Sequence, residues 1–224
     1  MADRILFSWS GGKDSALALY SLKHNNCDIQ ISALLTTVTA DYDRISMHGV
    51  RRELLEKQAE SIGFPLEKVI ISKKSSNEEY EEKIKEILLR YKNEGVSAVA
   101  FGDIFLEDLK KYREENLAKI GLKGIFPLWK QNSYILAKKF IDLNFKAIIT
   151  CVDGAQLDQS FCGREFDDSF LSQLPKDVDP CGENGEFHSF VYAGPIFREK
   201  ICFDKGEIVR RDERFYFCDL KFIH

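Results

Sequence analysis

Ser10-Gly11-Gly12-Lys13-Asp14-Ser15 follows the apolar run Ile5-Leu6-Phe7 and precedes a helical pattern that begins Ala16-Leu17-Ala18-Leu19-Tyr20. A strand, a glycine turn and a helix N-terminus are thereby laid end to end. Glycines let backbone N–H groups approach oxygens closely, and the positive end of a helix points at whatever they hold. Lys13 adds a full charge, and Ser10 and Ser15 add hydroxyl donors. The expected ligand is a phosphate.

The spacing separates this loop from other phosphate binders. A Walker loop needs Gly, four residues, then Gly-Lys-Ser/Thr, and a dinucleotide fold needs Gly-x-Gly-x-x-Gly. Neither pattern fits. Ser-Gly-Gly-Lys-Asp-Ser instead resembles the pyrophosphate loop of the N-type ATP pyrophosphatases, which split ATP into AMP and pyrophosphate.

Alternating strand-like and helix-like patterns fill about two-thirds of the 224 residues. Strands are expected at 31–38, 69–71, 96–101, 124–128 and 147–152. Helices are expected at 50–62 with Gly63 as the stop, from an Asn77 cap to Gly95, from Leu106 to Gly121, and over 133–143. Such alternation predicts an α/β fold, a doubly wound and mostly parallel sheet with helices on both faces. Beyond Cys151 the texture changes, with Asp, Gly and Pro frequent from Asp153 to Gly194 and a short helix near 169–174. Segments 197–203 and 207–211 around Asp204-Lys205-Gly206 read as a hairpin, followed by a strand at 214–222. A smaller C-terminal α+β lobe is therefore expected.

No apolar run approaches the roughly 20 residues of a membrane span, and the N-terminus is not a signal peptide. The net charge of −4 and the interspersed signs argue against a nucleic-acid partner. Six cysteines (27, 151, 162, 181, 202 and 218) form no Cys-x-x-Cys pair, which points to buried thiols in a cytoplasmic chain. Self-association into a homo-oligomer is compatible with the sequence.

Ligands of open α/β sheets bind beyond the carboxyl ends of the strands. Besides the Ser10–Ser15 loop, three segments fall at such ends. They are Thr36-Thr37 with the polar run 41–49 containing Arg44, Ser46, Met47 and His48, then Gly102-Asp103 continuing to Glu107, Asp108 and Arg113, and finally Asp153-Gly154. Each also has a plainer reading: Asp103 as a helix cap, His48 as a surface residue, Asp153 as a turn, and Glu107-Asp108 as a solvated first turn.

The segment Asp179-Pro-Cys-Gly-Glu-Asn-Gly-Glu-Phe-His-Ser-Phe190 packs two Glu, Asn, His and Ser between apolar stretches. Ordering so polar a loop is costly unless it binds something; the plainer alternative is a turn assembly with Gly182 and Gly185 at positive φ. Gly182-Glu183-Asn184-Gly185-Glu186-Phe187-His188-Ser189 together with Ser10–Ser15 resembles the diphthine–ammonia ligase family of ATP pyrophosphatases. Gly102-Asp103-Ile104, Tyr112-Arg113, Pro127-Leu128-Trp129 and Ala147-Ile148-Ile149 follow in that family's order. The resemblance covers residues 4 to 197.

The resemblance implies an adenine nucleotide alpha hydrolase-like fold, with an ATP-binding domain over 1–152 and a substrate-binding lobe over 153–224. It implies that a carboxylate, diphthine on elongation factor 2 in the best-known member, is adenylated by ATP and then amidated by ammonia. AMP and pyrophosphate leave, and Mg²⁺ bridges the phosphates with Asp14 positioning it. Nucleotide contacts are expected from Ser8, Ser10, Gly11, Gly12, Lys13, Asp14, Ser15, Thr36, Thr37, His48, Gly102 and Asp103. Glu183, Asn184, Gly185, Glu186 and His188 are expected around the acceptor. Lys13, Asp14, Glu183, Glu186 and His188 are the expected catalytic groups, with Glu186 or His188 as general base. Diphthamide-forming members read Gly-Glu-Gly-Gly-Glu-Tyr-Glu-Thr where this chain has Asn184, Phe187, His188 and Ser189. The acceptor is accordingly either diphthine or a small-molecule carboxylate. A non-catalytic ATP or AMP sensor is the reading from a different class.

Overall fold

A computed structural model of the chain describes residues 3–25, 28–45 and 49–223. The first half is an α/β unit. It runs β1 (Asp3–Ser8), α1 (Lys13–Asn25), β2 (Ile29–Thr39), β3 (Arg44–Ile45), α2 (Arg52–Ile62), β4 (Leu66–Ile71), α3 (Asn77–Asn93), β5 (Val96–Ala100), α4 (Glu107–Lys119) and β6 (Lys123–Ile125). Strands β4, β2, β1, β5 and β6 lie side by side and pair in parallel, while β3 adds a short antiparallel bridge to the end of β2. The chain leaves β1 toward β2 on one side and later returns to its other side as β5. The strand order therefore reverses at β1, and the loop after β1 opens at that switch point.

The local chemistry explains the elements. Helix α2 buries Leu54, Leu55, Ala59 and Ile62 and stops at Gly63, whose φ of 86° is the left-handed cap. The cap of α3 is Ser76 rather than Asn77: its hydroxyl accepts from the Glu79 N–H while Glu79 reaches back, a reciprocal pair that a single Asn cannot make. Of that helix's apolar residues only Leu88 is buried.

The second half runs α5 (Ser133–Asp142), β7 (Lys146–Asp153), α6 (Asp168–Gln173), β8 (Phe187–Ala193), β9 (Phe203–Arg211) and β10 (Phe215–Phe222). These four strands form a separate antiparallel sheet in the order β8-β7-β10-β9. Strand β7 is thus not the last strand of the parallel sheet, as its place in the alternation had implied. It is buried along nearly its whole length, and a buried strand reads alike in either kind of sheet. The change of sheet falls between β6 and β7.

The terminal hairpin also differs from expectation. Strand β9 runs straight through Asp204-Lys205-Gly206, and the segment 197–202 ahead of Phe203 forms no strand. The turn is centred on Asp212-Glu213, both residues at positive φ (49° and 54°) and closed by Arg214 N–H on Arg211 O, with Arg214 the third loop residue before Arg211 pairs with Phe215. Gly206 instead lies against Asp219, where the β9–β10 register shifts. Of the five described thiols, those of Cys151, Cys162, Cys181 and Cys218 are buried as expected, whereas Cys202, in the segment before β9, is exposed; Cys27 lies outside the described residues.

One core spans both sheets: Phe7, Leu17 and Leu55 belong to the same apolar cluster as Ile149, Phe187 and Phe190. The two halves are also tied by charge. Asp219 on β10 accepts from Arg44 on β3 and from Arg51 just before α2, each at 2.8 Å. Burial opposes ionisation of Asp219, but the two guanidiniums outweigh it and hold the carboxyl at about 2. A pKa depressed in the folded state stabilises above the unfolded value and ceases to do so as pH falls through the folded one. Asp219→Asn is expected to cost about 1–2 kcal/mol near neutrality, after allowance for solvent screening of the exposed part of Arg51. In urea melts the gap from the parent should shrink between about pH 4 and pH 2.

Candidate active site

The loop after β1 is held from three directions. Its Gly11 has φ of 78°, and a Cβ there would stand 2.5 Å from Leu55 Cδ1 and 2.7 Å from Gln58 Oε1. Gly11 O accepts from the Val191 N–H at 2.9 Å and from Gln58 Nε2 at 3.0 Å. Gln58 is fully buried and fully occupied, since it also donates to Val191 O and accepts from the Trp9 indole N–H at 3.0 Å. Ser189 of β8 accepts from the Lys13 N–H at 3.1 Å. Within the loop, Gly12 N–H donates to Ser10 Oγ, and Ser15 Oγ donates to Gly12 O. Gly102, after β5, packs so closely on the start of α1 that a Cβ would lie 3.0 Å from Ser15 N.

Lys13 is buried. Its ammonium reaches Asp14 Oδ2 at 2.8 Å and the carbonyl of Cys181, with the Phe187 and Phe166 rings at 5.1 and 5.7 Å. Burial alone would lower its pKa, but Asp14, the Cys181 thiol and Glu183 outweigh that and raise it. Asp14 is pushed upward by burial against the pull of Lys13. Lys13 thus joins the Ser10–Ser15 loop to the polar C-terminal loop.

That second loop is organised by its own carboxylates. Asp179 accepts from the Cys181 and Glu183 N–H groups, while Glu186 Oε1 accepts from Asp179 N–H and Asn184 Nδ2. Gly182 and Gly185 take positive φ of 66° and 86°. Glu183 projects outward, and its Oε1 accepts from the N–H groups of Ile104 (2.7 Å) and Phe105 (3.4 Å). Burial lifts its pKa to about 7; the Ile104 N–H opposes this and the Asp14 charge adds to it.

These parts meet on one cavity of about 930 Å³ at the carboxyl ends of β1, β2 and β5. Ser8, Ser10, Gly12, Lys13, Asp14, Ser15, Thr36, Thr37, Gly102, Asp103, Glu183, Gly185 and His188 all line it. Asp103 is engaged there by Arg113 at 2.7 Å, and burial raises its pKa against that partner. Gly11 lies behind the loop against Gln58, and Asn184 and Glu186 turn into the C-terminal loop rather than toward the cavity. Glu186 is buried, and its Oε2 has no hydrogen-bond partner among the described residues. His48, with Ser46 and Met47, lies outside the described residues. Asp153 is not part of the cavity: it forms a paired carboxylate–guanidinium contact with Arg214 and caps its own turn through Ala155 N–H.

Gln58 and Ser189 carry no role in the sequence reading. Ser189 is visible only inside the motif. Gln58 leaves one signal, a polar residue in the otherwise apolar stripe of α2, and buried amides are rare unless every group is paired. Gln58→Leu strands the Trp9 N–H and releases Gly11 O from one of its two donors. We expect a loss of roughly 2–3 kcal/mol in denaturant unfolding together with weaker ATP binding by calorimetry.

Comparison with known proteins identifies relatives along most of the chain. The diphthamide synthase N-terminal domain model matches residues 3–124 and the diphthamide synthase C-terminal domain model matches residues 132–222. The chain is 28% identical over 221 residues to the diphthine–ammonia ligase of Bos taurus, and 28% identical over 223 residues to that of Homo sapiens. Each of those alignments covers 89% of this chain and 82% of the relative. A longer relative, the diphthine–ammonia ligase of Schizosaccharomyces pombe, is 28% identical over 231 residues, which is 92% of this chain and 37% of that protein. The two matched halves follow one another as the two sheets do, with the cavity between their loops, and the chain belongs to the diphthamide synthase family.

Proposed function

We propose that this chain is an ATP-dependent carboxylate–ammonia ligase that forms AMP and pyrophosphate. The observation that carries the reading is the junction of the Ser10–Ser15 loop with Glu183 on one cavity, in a chain whose relatives are named diphthine–ammonia ligases.

A carboxylate is a poor electrophile because oxide is a poor leaving group. In the first step an acceptor carboxylate oxygen attacks the α-phosphorus, the bond to the β-phosphate oxygen breaks, and pyrophosphate leaves. The amides at the start of α1, with Ser10 and Ser15, hold the negative charge that grows on it. Ammonia then attacks the acyl carbon of the mixed anhydride, AMP departs, and one proton must leave the nitrogen. We assign that proton to Glu183, which lines the cavity beside the Ser10–Ser15 loop; a carboxyl lifted to about 7 is a competent base near neutrality. Glu186, enclosed by its own loop, is assigned the shaping of that loop. His188 lines the cavity on the acceptor side.

Among the described residues no group of three or more His, Cys, Asp or Glu is arranged to hold a metal by itself. That suits Mg²⁺, which is commonly held by one or two carboxylates and the substrate's own phosphates. Asp14 opens on the cavity and is the carboxylate we assign to it. The ion would neutralise phosphate charge. No helix among the described residues is long and apolar enough to cross a membrane; an ATP-consuming enzyme with free thiols fits a cytoplasmic setting.

The relatives' name makes diphthine one acceptor to test; a small-molecule carboxylate is the other. Pyrophosphate and AMP should appear in equal amounts with ATP, Mg²⁺ and ammonium only when an acceptor is supplied, either elongation factor 2 bearing diphthine or a set of small carboxylic acids. Tight ATP binding without turnover under any acceptor would make the chain a nucleotide sensor. Asp14→Ala should abolish AMP formation while the melting curve stays cooperative; retained turnover removes Asp14 from the mechanism. Glu183→Gln should lower amide formation by about 10²-fold or more. In the parent the base must be deprotonated, so the rate should fall as pH drops through about 7, and this limb should vanish in the variant.

A further inference from the structure

The cavity is larger than the phosphate loop requires, and its second arm is built of different material. From the carboxyl end of β5 it continues along the sheet face between α3 and α4 as far as Ile120. Val99, Leu88 and Leu117 form its floor, with Ile84, Leu106 and Leu109 along its walls. The floor residues belong to the apolar cluster on that face of the sheet, and Ile84 packs against them half-buried. Polar groups stand along the rim. There Tyr112 Oη donates to Glu81 Oε1 at 2.5 Å, a strap from α4 to α3 beside the arm. At the junction of the arm with the phosphate loop stand Asp103 and Arg113, the guanidinium lying over the Phe101 ring at 4.4 Å.

An apolar trough that opens directly onto a charged reaction centre imposes a shape on whatever reacts there. The triphosphate must lie at the polar loop, because burying phosphate oxygens among Val, Leu and Ile side chains without donors is prohibitive. The groups that gain from the arm are hydrocarbon. We propose that the arm between α3 and α4 is the acceptor's tail site, and that the acceptor is a carboxylic acid carrying an extended hydrocarbon portion. The proposal rests on the ligase reading and narrows its substrate class. Its carboxylate lies at Lys13, Asp14 and Glu183 while its tail covers Leu109, Leu117 and Val99.

The test reads binding, so it is independent of turnover. The protein is loaded with Mg²⁺ and α,β-methylene-ATP, which occupies the loop without releasing pyrophosphate. Straight-chain carboxylates from acetate to octanoate are then titrated by calorimetry. Affinity should rise about two- to fourfold per methylene, the increment of burying one CH₂. Leu109→Trp, which fills the arm, should reduce octanoate affinity by about tenfold or more and leave affinity for α,β-methylene-ATP unchanged. The chain-length series on the parent protein needs no variant to fold. A flat series overturns the proposal, as does an equal gain for octylammonium, which would make the arm an unselective apolar sink. Loss of nucleotide affinity in Leu109→Trp would give the arm to ATP and overturn it as well. Failure of the ligase reading looks different: no acceptor, long or short, would yield AMP, whatever the binding series shows.

Discussion

The backbone carbonyl of Gly11 is the point on which this structure turns. It accepts from Val191 on the antiparallel sheet and from Gln58 on α2, so one oxygen of the phosphate loop joins three separate parts of the chain. With its carbonyl held behind the loop, the amides that follow are fixed in turn, Gly12 N–H on Ser10 Oγ and Lys13 N–H on Ser189 Oγ. The left-handed conformation of Gly11, and the 2.5 Å from a hypothetical Cβ to Leu55, tie that geometry to glycine. The Ser10–Ser15 loop is therefore not a local motif that any βα unit supplies. It is completed by β8, through Val191 and again through Ser189.

Charge is arranged around the same junction. Lys13 is buried against Asp14 and the Cys181 carbonyl, so the C-terminal loop and the phosphate loop share one ammonium. A buried lysine with a carboxylate partner and a carbonyl acceptor has its charge compensated where it stands. Glu183 lies close enough to add to that balance, and its elevated pKa follows from burial beside another carboxylate. The two halves of the chain consequently depend on each other electrostatically as well as through their common apolar core.

The shape of the cavity follows from topology. Strand order reverses at β1, so the loop after β1 leads to α1 on one face of the sheet and the loop after β5 leads to α4 on the other, which opens a crevice at the carboxyl edge. Helices α3 and α4 flank the resulting trough and leave Ile84, Leu106 and Leu109 only partly covered. A polar loop and an apolar arm thus share one opening, a combination suited to a substrate with a charged head and a hydrocarbon remainder.

Much of the α/β half was legible because its signals are local. The strand–glycine–helix junction, the stripe of α2 and the stop at Gly63 each lie within a dozen residues, and each carries its own physical reason. Both polar loops that line the cavity could likewise be found from composition, since polar residues crowded between apolar runs are costly to order without a role. What only the tertiary structure decided depends on contacts between distant residues. Strand β7 is apolar in either sheet, and its partners alone place it in the second. Asp153 and Asp103 look alike as acids after strands, yet Arg214 takes one out of the cavity while Arg113 holds the other on its wall. Glu183 and Glu186 are three residues apart, and only the approach of Ile104 turns the first into the cavity while Asp179 and Asn184 enclose the second. Residue type and spacing state what chemistry is present; which group meets the substrate is set by long-range packing, because burial and partners determine both a side chain's direction and its charge.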